Sequence, residues 1–287
     1  MDAVLEFLNP QPGKDYYDLT GGTGSASREI LLRNAPGRVL TIDRDPRAFD
    51  EMDALLAPFG ERSIRVCANF AEIASIAKKV DIPRADGAIA DLGISSRMVD
   101  TPDYGASIKH DSRLDMRMDP SIPISAYDLV NTLPESELRE LFRRVDEIRW
   151  AGPIAKAIVR RRENSPIETT GELAELVSSV IPRRFHPRRI HPATKVFLAL
   201  RTKVNEEPES LKACLESLGE LINPNGVLVI ICYSSIEERI LKQVMQENKN
   251  IWEKITKKPV RPDEAEIRKN PRSRSARLRA YKRLTNE

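Results

Sequence analysis

The sequence predicts an α/β fold: a doubly wound parallel sheet interrupted by an all-helical insertion. Three observations predict it. Short apolar runs alternate with helical stretches from residue 16 to residue 91; the alternation stops there; and it resumes at about residue 208, leading to a wholly apolar strand at 227–232. Strand–helix repeats of this spacing are the mark of a parallel sheet with crossover helices, and an apolar run suits a strand covered on both faces.

Tyr16-Tyr17-Asp18-Leu19 is the first strand, ending in the turn-rich Thr20-Gly21-Gly22-Thr23-Gly24. A helix over 25–34 follows, with Ile30 and Leu31 inward, closed by Pro36-Gly37. Val39-Leu40-Thr41-Ile42 is a second strand that ends at Asp43, and Pro46 opens the next helix. Ile64-Arg65-Val66-Cys67 is a third strand, 71–80 a third helix, and Gly87-Ala88-Ile89-Ala90 a fourth strand ending at Asp91. Right-handed crossovers bring all these strand ends to one edge, where ligands of such sheets bind.

Residues 102–205 carry helix signals and no convincing strand. Pro134 opens a helix with Leu138, Leu141, Phe142 and Val145 on one face, and Ile154, Ala157 and Ile158 mark another. Thr169-Thr170-Gly171-Glu172 forms a capping box ahead of Leu173, Leu176 and Val177. Pro192 stands in the first turn of a helix with Val196, Phe197 and Leu200. After the insertion come a helix at 208–222, the tight turn Asn223-Pro224-Asn225-Gly226, the apolar strand, and a helix at 236–245. Segments 251–255 and 278–284 can pair as an antiparallel hairpin. The expected division is 1–104 and 206–287 for the sheet domain and 105–205 for the helical one.

Composition narrows the function. The chain has 287 residues, 40% apolar and 31% charged, enough for a core and too ordered in composition for a disordered chain. No apolar run approaches a membrane span, and the start lacks a signal-peptide pattern, so a soluble, cytoplasmic protein without a membrane role is expected. Cys67, Cys214 and Cys232 are widely spaced and read as small core residues; His186 and His191 lack partners at ligand spacing, so no metal is expected. The net charge of +3 hides an asymmetry: 14 Lys/Arg stand against 7 Asp/Glu in 139–201, and 12 against 5 in 251–287. Two basic segments on an acidic remainder suit a polyanion touched at two places.

The glycine turn after the first strand lets a ligand approach the backbone at a helix N-terminus, and Asp43, ending the second strand, can accept hydrogen bonds from both hydroxyls of a ribose. Both features suit an adenosine group, whether of a nicotinamide dinucleotide or of S-adenosylmethionine. The third glycine of a dinucleotide fingerprint is missing near Ser27. The Asn-Pro-Asn-Gly turn before the fifth strand and the terminal hairpin are methyltransferase traits by fold-level analogy. Asp91-Leu92-Gly93-Ile94-Ser95-Ser96 follows the fourth strand, where an amine substrate would be held, without the two prolines and aromatic common there in amine methyltransferases. Leu114-Asp115-Met116-Arg117-Met118-Asp119 reads from spacing alone as a linker strand, and Asn270-Pro271-Arg272-Ser273-Arg274-Ser275 as a basic turn.

Together these segments resemble the bacterial and mitochondrial small-subunit ribosomal RNA cytosine-N4 methyltransferase family. Ile42-Asp43-Arg44-Asp45-Pro46, His191-Pro192-Ala193-Thr194, Ala199-Leu200-Arg201 and Val204-Asn205 also match, in family order, and the Leu114–Asp119 and Asn270–Ala276 blocks are its specific motifs. The resemblance implies a class I (Rossmann-like) methyltransferase sheet with a helical insertion, S-adenosylmethionine as cofactor, and a decoding-region cytosine of the small ribosomal subunit as target. Carried over by position, Gly22, Gly24, Ser25, Ala26, Asp43, Phe70, Asp91 and Met98 hold the cofactor, Asp91 is catalytic, and Arg117, Arg201, Arg272 and Arg274 contact RNA. The chain departs from the family at Ser25-Ala26, where Gly-His is usual, at Met98 for glutamine and at Ser234 for histidine. The family's His-x-Pro-Val stretch is missing at the N-terminus, so the chain is expected to start late or to be trimmed. These departures keep a second expectation in view, a methyltransferase-like RNA-binding or assembly factor.

Overall fold

The computed structural model describes residues 1–144, 148–187 and 190–285. It divides into two compact units, Met1–Gly93 with Pro208–Glu287, and Ile94–Glu207.

The first unit is built on a seven-stranded sheet of order β3-β2-β1-β4-β5-β7-β6. Its strands are β1 (Tyr16–Asp18), β2 (Val39–Asp43), β3 (Ser63–Cys67), β4 (Ala85–Asp91), β5 (Ile222–Cys232), β6 (Trp252–Lys254) and β7 (Arg277–Arg283). The first five run parallel, and β7 lies antiparallel between β5 and β6. This is the class I methyltransferase order, with β2 and β3 added on one side of β1 and β4 and β5 on the other. Its helices are α1 (Asp2–Leu8), α2 (Ser25–Leu31), α3 (Phe49–Leu56) and α4 (Ile73–Lys79).

Alternation along the strands sorts side chains onto two faces. Tyr16, Val39, Ile89, Val229 and Ala280 join Val4, Leu8, Ile30, Leu31, Met52 and Leu56 in one apolar layer. Tyr17, Leu40, Ala88, Leu228, Ile230 and Tyr281 pack in the other, with Ile73 and Ile76 of α4. The Asn223-Pro224-Asn225-Gly226 turn is present inside β5: Ile222 pairs with Ala85 but Val227 with Gly87, so the extra residues bulge out of the ladder, and Asn225 takes a φ of 68°.

The second unit is helical: α5 (Ser96–Asp100), α6 (Ala126–Thr132), α7 (Glu135–Arg144), α8 (Ala151–Arg162), α9 (Thr170–Val180) and α10 (Thr194–Val204). Leu138 and Phe142 of α7, Ile154 and Ile158 of α8, Leu173 and Val177 of α9 and Val196 and Leu200 of α10 are buried, as their spacing predicts. Val145 lies outside the described residues. The Thr169 capping box forms, and an unforeseen one, Ser125 with Asp128, starts α6. The rest of the chain supplies α11 (Glu207–Leu221), α12 (Ser235–Glu247) and α13 (Glu264–Lys269). Leu211, Leu215 and Leu218 of α11 and Leu241 and Val244 of α12 complete the second apolar layer of the sheet.

Three expectations are corrected. The helical unit begins at Ile94, ahead of residue 105, because Pro102–Tyr104 belongs with the insertion: Met116 N–H donates to the Tyr104 carbonyl at 2.7 Å, and the Tyr104 ring is buried. Leu114 to Asp119 is not a strand. Met116 takes a φ of 66°, and buried Asn205 clamps the loop by donating to the Met116 carbonyl at 2.7 Å and accepting from Met118 N–H at 2.9 Å. Cys214 and Cys232 are core residues, but Cys67, at the end of β3, is exposed. Among the described residues no helix is long and apolar enough to cross a membrane, and no three His, Cys, Asp or Glu side chains gather as metal ligands.

Candidate active site at the carboxyl edge of the sheet

The parallel register aligns the ends of β1, β2, β3 and β4, so Asp18, Asp43, Cys67 and Asp91 finish along one edge. The loop after β1 is fastened to its neighbours. Gly21 N–H donates to the Ile42 carbonyl at 2.8 Å, Gly22 N–H to Asp43 Oδ2 at 2.7 Å, and Asp91 N–H to the Thr20 hydroxyl at 2.7 Å. Two glycines are demanded by position. A Cβ on Gly21 would sit 2.6 Å from Met52 Cε and 2.7 Å from Thr41 Cγ2, and Gly24, the N-cap of α2, has a φ of +84°. The first N–H groups of α2 thus face the edge without a side-chain cap.

Asp43 and Asp45 divide two tasks. Asp45 caps the turn at Pro46–Ala48 by accepting from Arg47 N–H, while Asp43 accepts from Gly22 and Asp45 N–H, one bond per oxygen. Each Asp43 oxygen keeps a lone pair for a ligand hydroxyl. Asn69 orders the end of β3, accepting from Ala71 N–H and donating to Ser210 Oγ at 2.9 Å. Phe70, next along, is half-buried against the core. These are the donors and acceptors that an adenosine group with a ribose diol and an amino-acid tail requires.

Asp91 ends β4 at this edge. Its side chain is open to solvent on one side and backed by protein on the others. Tyr233, at the start of the turn after β5, donates its hydroxyl to Asp91 Oδ1 at 2.9 Å, and Oδ2 has no protein partner among the described residues. Desolvation pushes the Asp91 carboxyl above the ordinary range, and the Tyr233 hydroxyl pulls it back. The Tyr233 hydroxyl is itself pushed up by burial and by the adjacent Asp91 charge. Glu237 fixes Tyr233 from below, accepting from the backbone N–H of Tyr233 at 2.7 Å and of Ser234 at 2.9 Å.

Beneath the edge lies a buried carboxyl. Asp18, only 1% exposed, accepts from Ser27 Oγ at 2.6 Å and Thr20 N–H at 3.3 Å. Burial pushes it up to about 6; Ser27 and Thr20 pull it down, and the charges of Asp43 and Asp91 push it further up.

Gly22, Gly24, Ser25, Ala26, Asp43, Phe70 and Asp91 therefore all belong to this edge or to the first turn that leaves it. Met98 is buried in α5 of the helical unit, with its N–H on the Ser95 hydroxyl. Arg117 and Arg201 belong to the same unit. Arg117 pairs with both oxygens of Asp115 and donates to the Pro120 and Ile122 carbonyls, and Arg201, 8% exposed, forms a two-pronged pair with Glu207 at 2.6 and 2.7 Å. Both guanidiniums brace the helical unit from within. Arg272 and Arg274 are exposed on the turn Pro271–Ser275, whose Ser273 faces inward. The sequence reasoning missed Asp18, Thr20, Tyr233 and Glu237. The Ser234-Ser235-Ile236-Glu237 capping box was the available signal for the last two.

The model of the MraW methylase family matches residues 1–284. The chain is 43% identical to the ribosomal RNA small subunit methyltransferase H of Desulfotalea psychrophila, over 99% of this chain and 96% of that one. It is 41% identical to the protein of the same name from Carboxydothermus hydrogenoformans, again over 99% and 96%. A solved rRNA methylase from Streptococcus thermophilus overlays at a TM-score of 0.47 with 10% identity, covering 99% of this chain and 93% of that one, too loose a likeness to carry an inference.

Asp18 gives a stability signature. In the unfolded chain it ionises near the ordinary value, about 4, and in the folded chain near about 6. Between these the folded state binds more protons, so its contribution is full below about pH 4 and is lost as pH rises through about 6, by roughly 3 kcal/mol. Asp18→Asn removes this dependence. Urea unfolding of both proteins across that window should show a wild-type-minus-variant difference that falls with pH; a flat difference contradicts the assignment.

Proposed function

The chain belongs to the MraW methylase family, and from that premise we propose that it methylates the exocyclic amine of a cytosine in the decoding region of small-subunit ribosomal RNA, with S-adenosylmethionine as donor. One observation carries the reading: a carboxylate at the end of β4, Asp91, oriented by Tyr233 and open to a ligand through its other oxygen. When bound, S-adenosylmethionine supplies a methyl group already activated on a sulfonium. Gly22, Gly24, Ser25 and Ala26 would line its methionine end, Asp43 its ribose and Phe70 its adenine.

The remaining task is positional. A cytosine amine is a poor nucleophile, its lone pair being delocalised into the ring, so alignment in a desolvated cleft supplies most of the rate. Asp91 Oδ2 accepts a hydrogen bond from the amine, orients it, and takes the proton the nitrogen sheds. The base has to leave its stack to reach a cleft, which calls for grips on the flanking RNA. Arg272 and Arg274, held outward by the buried Ser273, supply one; the exposed arginines of α7, Arg139, Arg143 and Arg144, supply another.

A second reading is favoured by Ser234, which stands where the family has a histidine and whose hydroxyl is engaged in capping α12. On that reading the protein is an RNA-binding or assembly factor that no longer catalyses. Transfer of labelled methyl to unmodified small ribosomal subunits, followed by nucleoside analysis, separates the two. N4-methylcytidine is the expected product, and binding without transfer supports the second reading.

Two variants test the roles. Asp91→Asn should lower kcat by roughly 100-fold with donor affinity little changed; wild-type turnover at saturating donor and RNA contradicts the role. In Tyr233→Phe the carboxyl loses its donor, its pKa rises, and the acid limb of the rate profile should move to higher pH. For the tail, Arg272→Glu with Arg274→Glu should weaken RNA binding and flatten its logarithmic salt dependence by about one per lost phosphate contact. An unchanged slope refutes that contact.

A further inference from the structure

The helical unit carries an aromatic and arginine cluster that the site above does not use. Trp150 is the N-cap of α8, and Phe185 ends the single turn Arg183–Phe185 that follows α9. Their ring centroids lie 5.6 Å apart at 50°. The Arg149 guanidinium carbon lies 5.6 Å from the Trp150 centroid and 4.9 Å from that of Phe185, and Arg184 lies 5.0 Å from Phe185. Phe185 is 40% exposed, and Arg149 and Arg184 are exposed as well.

The arrangement is held by backbone. Phe185 N–H donates to the Pro182 carbonyl at 2.8 Å, and His186 Nε2 lies 2.8 Å from the Ile181 carbonyl, fixing the turn that presents the ring. A phenylalanine left this open to water adds little to the core, and two guanidiniums on its faces do not bury it. The cluster sits in the segment where 14 basic residues face 7 acidic ones. Aromatic rings and guanidinium planes in one stack, in a basic field, are what an unpaired base and its phosphates recognise.

We propose that Trp150, Phe185, Arg149 and Arg184 form a stacking platform for an unpaired nucleotide of the RNA, the base lying on the rings and the phosphates on the arginines. It rests on the RNA substrate of the proposed function and adds to it a second point of base contact, carried by the helical unit.

The chain's two tryptophans make the test direct, because Trp252 is 4% exposed in the sheet core and Trp150 is the one able to meet a base. Titrating the full chain with a single-stranded pyrimidine RNA octamer, without donor, should quench tryptophan emission saturably. The same sequence as a duplex, or polyglutamate, should quench at least about tenfold less well. Phe185→Ala should weaken the single-strand affinity by roughly tenfold or more, and Arg149→Gln should weaken it less and reduce the salt slope. With small ribosomal subunits as substrate, Phe185→Ala should raise the RNA KM and keep kcat. Equal quenching by duplex or polyglutamate, unchanged affinity in both variants, or RNA binding by polarisation without quenching each overturns the platform. A wild-type protein that binds and quenches but transfers no methyl group counts against the proposed reaction and leaves the platform standing.

Discussion

The loop from Thr20 to Gly24 is the fastening on which the rest of the site depends. Parallel strands bring their ends to one edge, but pairing alone does not fix what lies beyond it. Here Thr20 accepts the Asp91 N–H and donates its own to Asp18, while Gly22 donates to Asp43. One short loop thus ties the ends of β1, β2 and β4 together, and the tight fit of Gly21 against Met52 and Thr41 keeps it flat on the sheet. The same bonds bring Asp18, Asp43 and Asp91 into one field, and all three carboxyls are pushed up, first by desolvation. An edge with this surplus of carboxyls suits the cationic donor of the proposed reaction, whose positive charge would relieve the crowding.

Charge of the opposite sign is kept elsewhere in the chain. Some arginines are structural: Arg277, Arg279 and Lys242 surround Glu238 and, against desolvation, hold its carboxyl down to about 2, which joins α12 to β7. Arg117 and Arg201 likewise serve the helical unit. Others, Arg272 and Arg274 on their turn and Arg149 and Arg184 on the aromatic pair, stand outward. Acidic side chains at the sheet edge and exposed arginines on other segments are the division that the proposed reaction, with its cationic donor and polyanionic acceptor, calls for.

Much of the fold was legible because the strands are short apolar runs that end in turn residues or acids. Asp43 and Asp91 are strand ends in the sequence and in the structure, while the first strand stops at Asp18, one residue before Leu19. The helical unit showed itself by period and the Thr169 capping box, but α1 and α6 escaped, each only 7 residues long and so too short to show a helical period. Leu114 to Asp119 alternates like a strand, yet its alternation serves a loop in which Asp115 folds back on Arg117 and Asn205 reaches in from α10's end. Spacing within the segment carries no trace of Asn205, which lies 89 residues from Met116. The same limit hid Tyr233, 142 residues from Asp91, and made Arg201 resemble a surface arginine in a basic run. Partners in space decide whether a cation is structural, and those partners are not sequence neighbours.

The central claim is that the carboxyl edge of the sheet is a cofactor cradle in which Asp43 takes the ribose. Calorimetric titration of the full chain with S-adenosylmethionine, alongside Asp43→Ala, tests it most directly. The account predicts saturable one-to-one heat for the wild type and an affinity lower by about tenfold or more in the variant, in keeping with lost hydrogen bonds to a charged group. No heat from the wild type at millimolar ligand, or equal affinity in the two proteins, would contradict it.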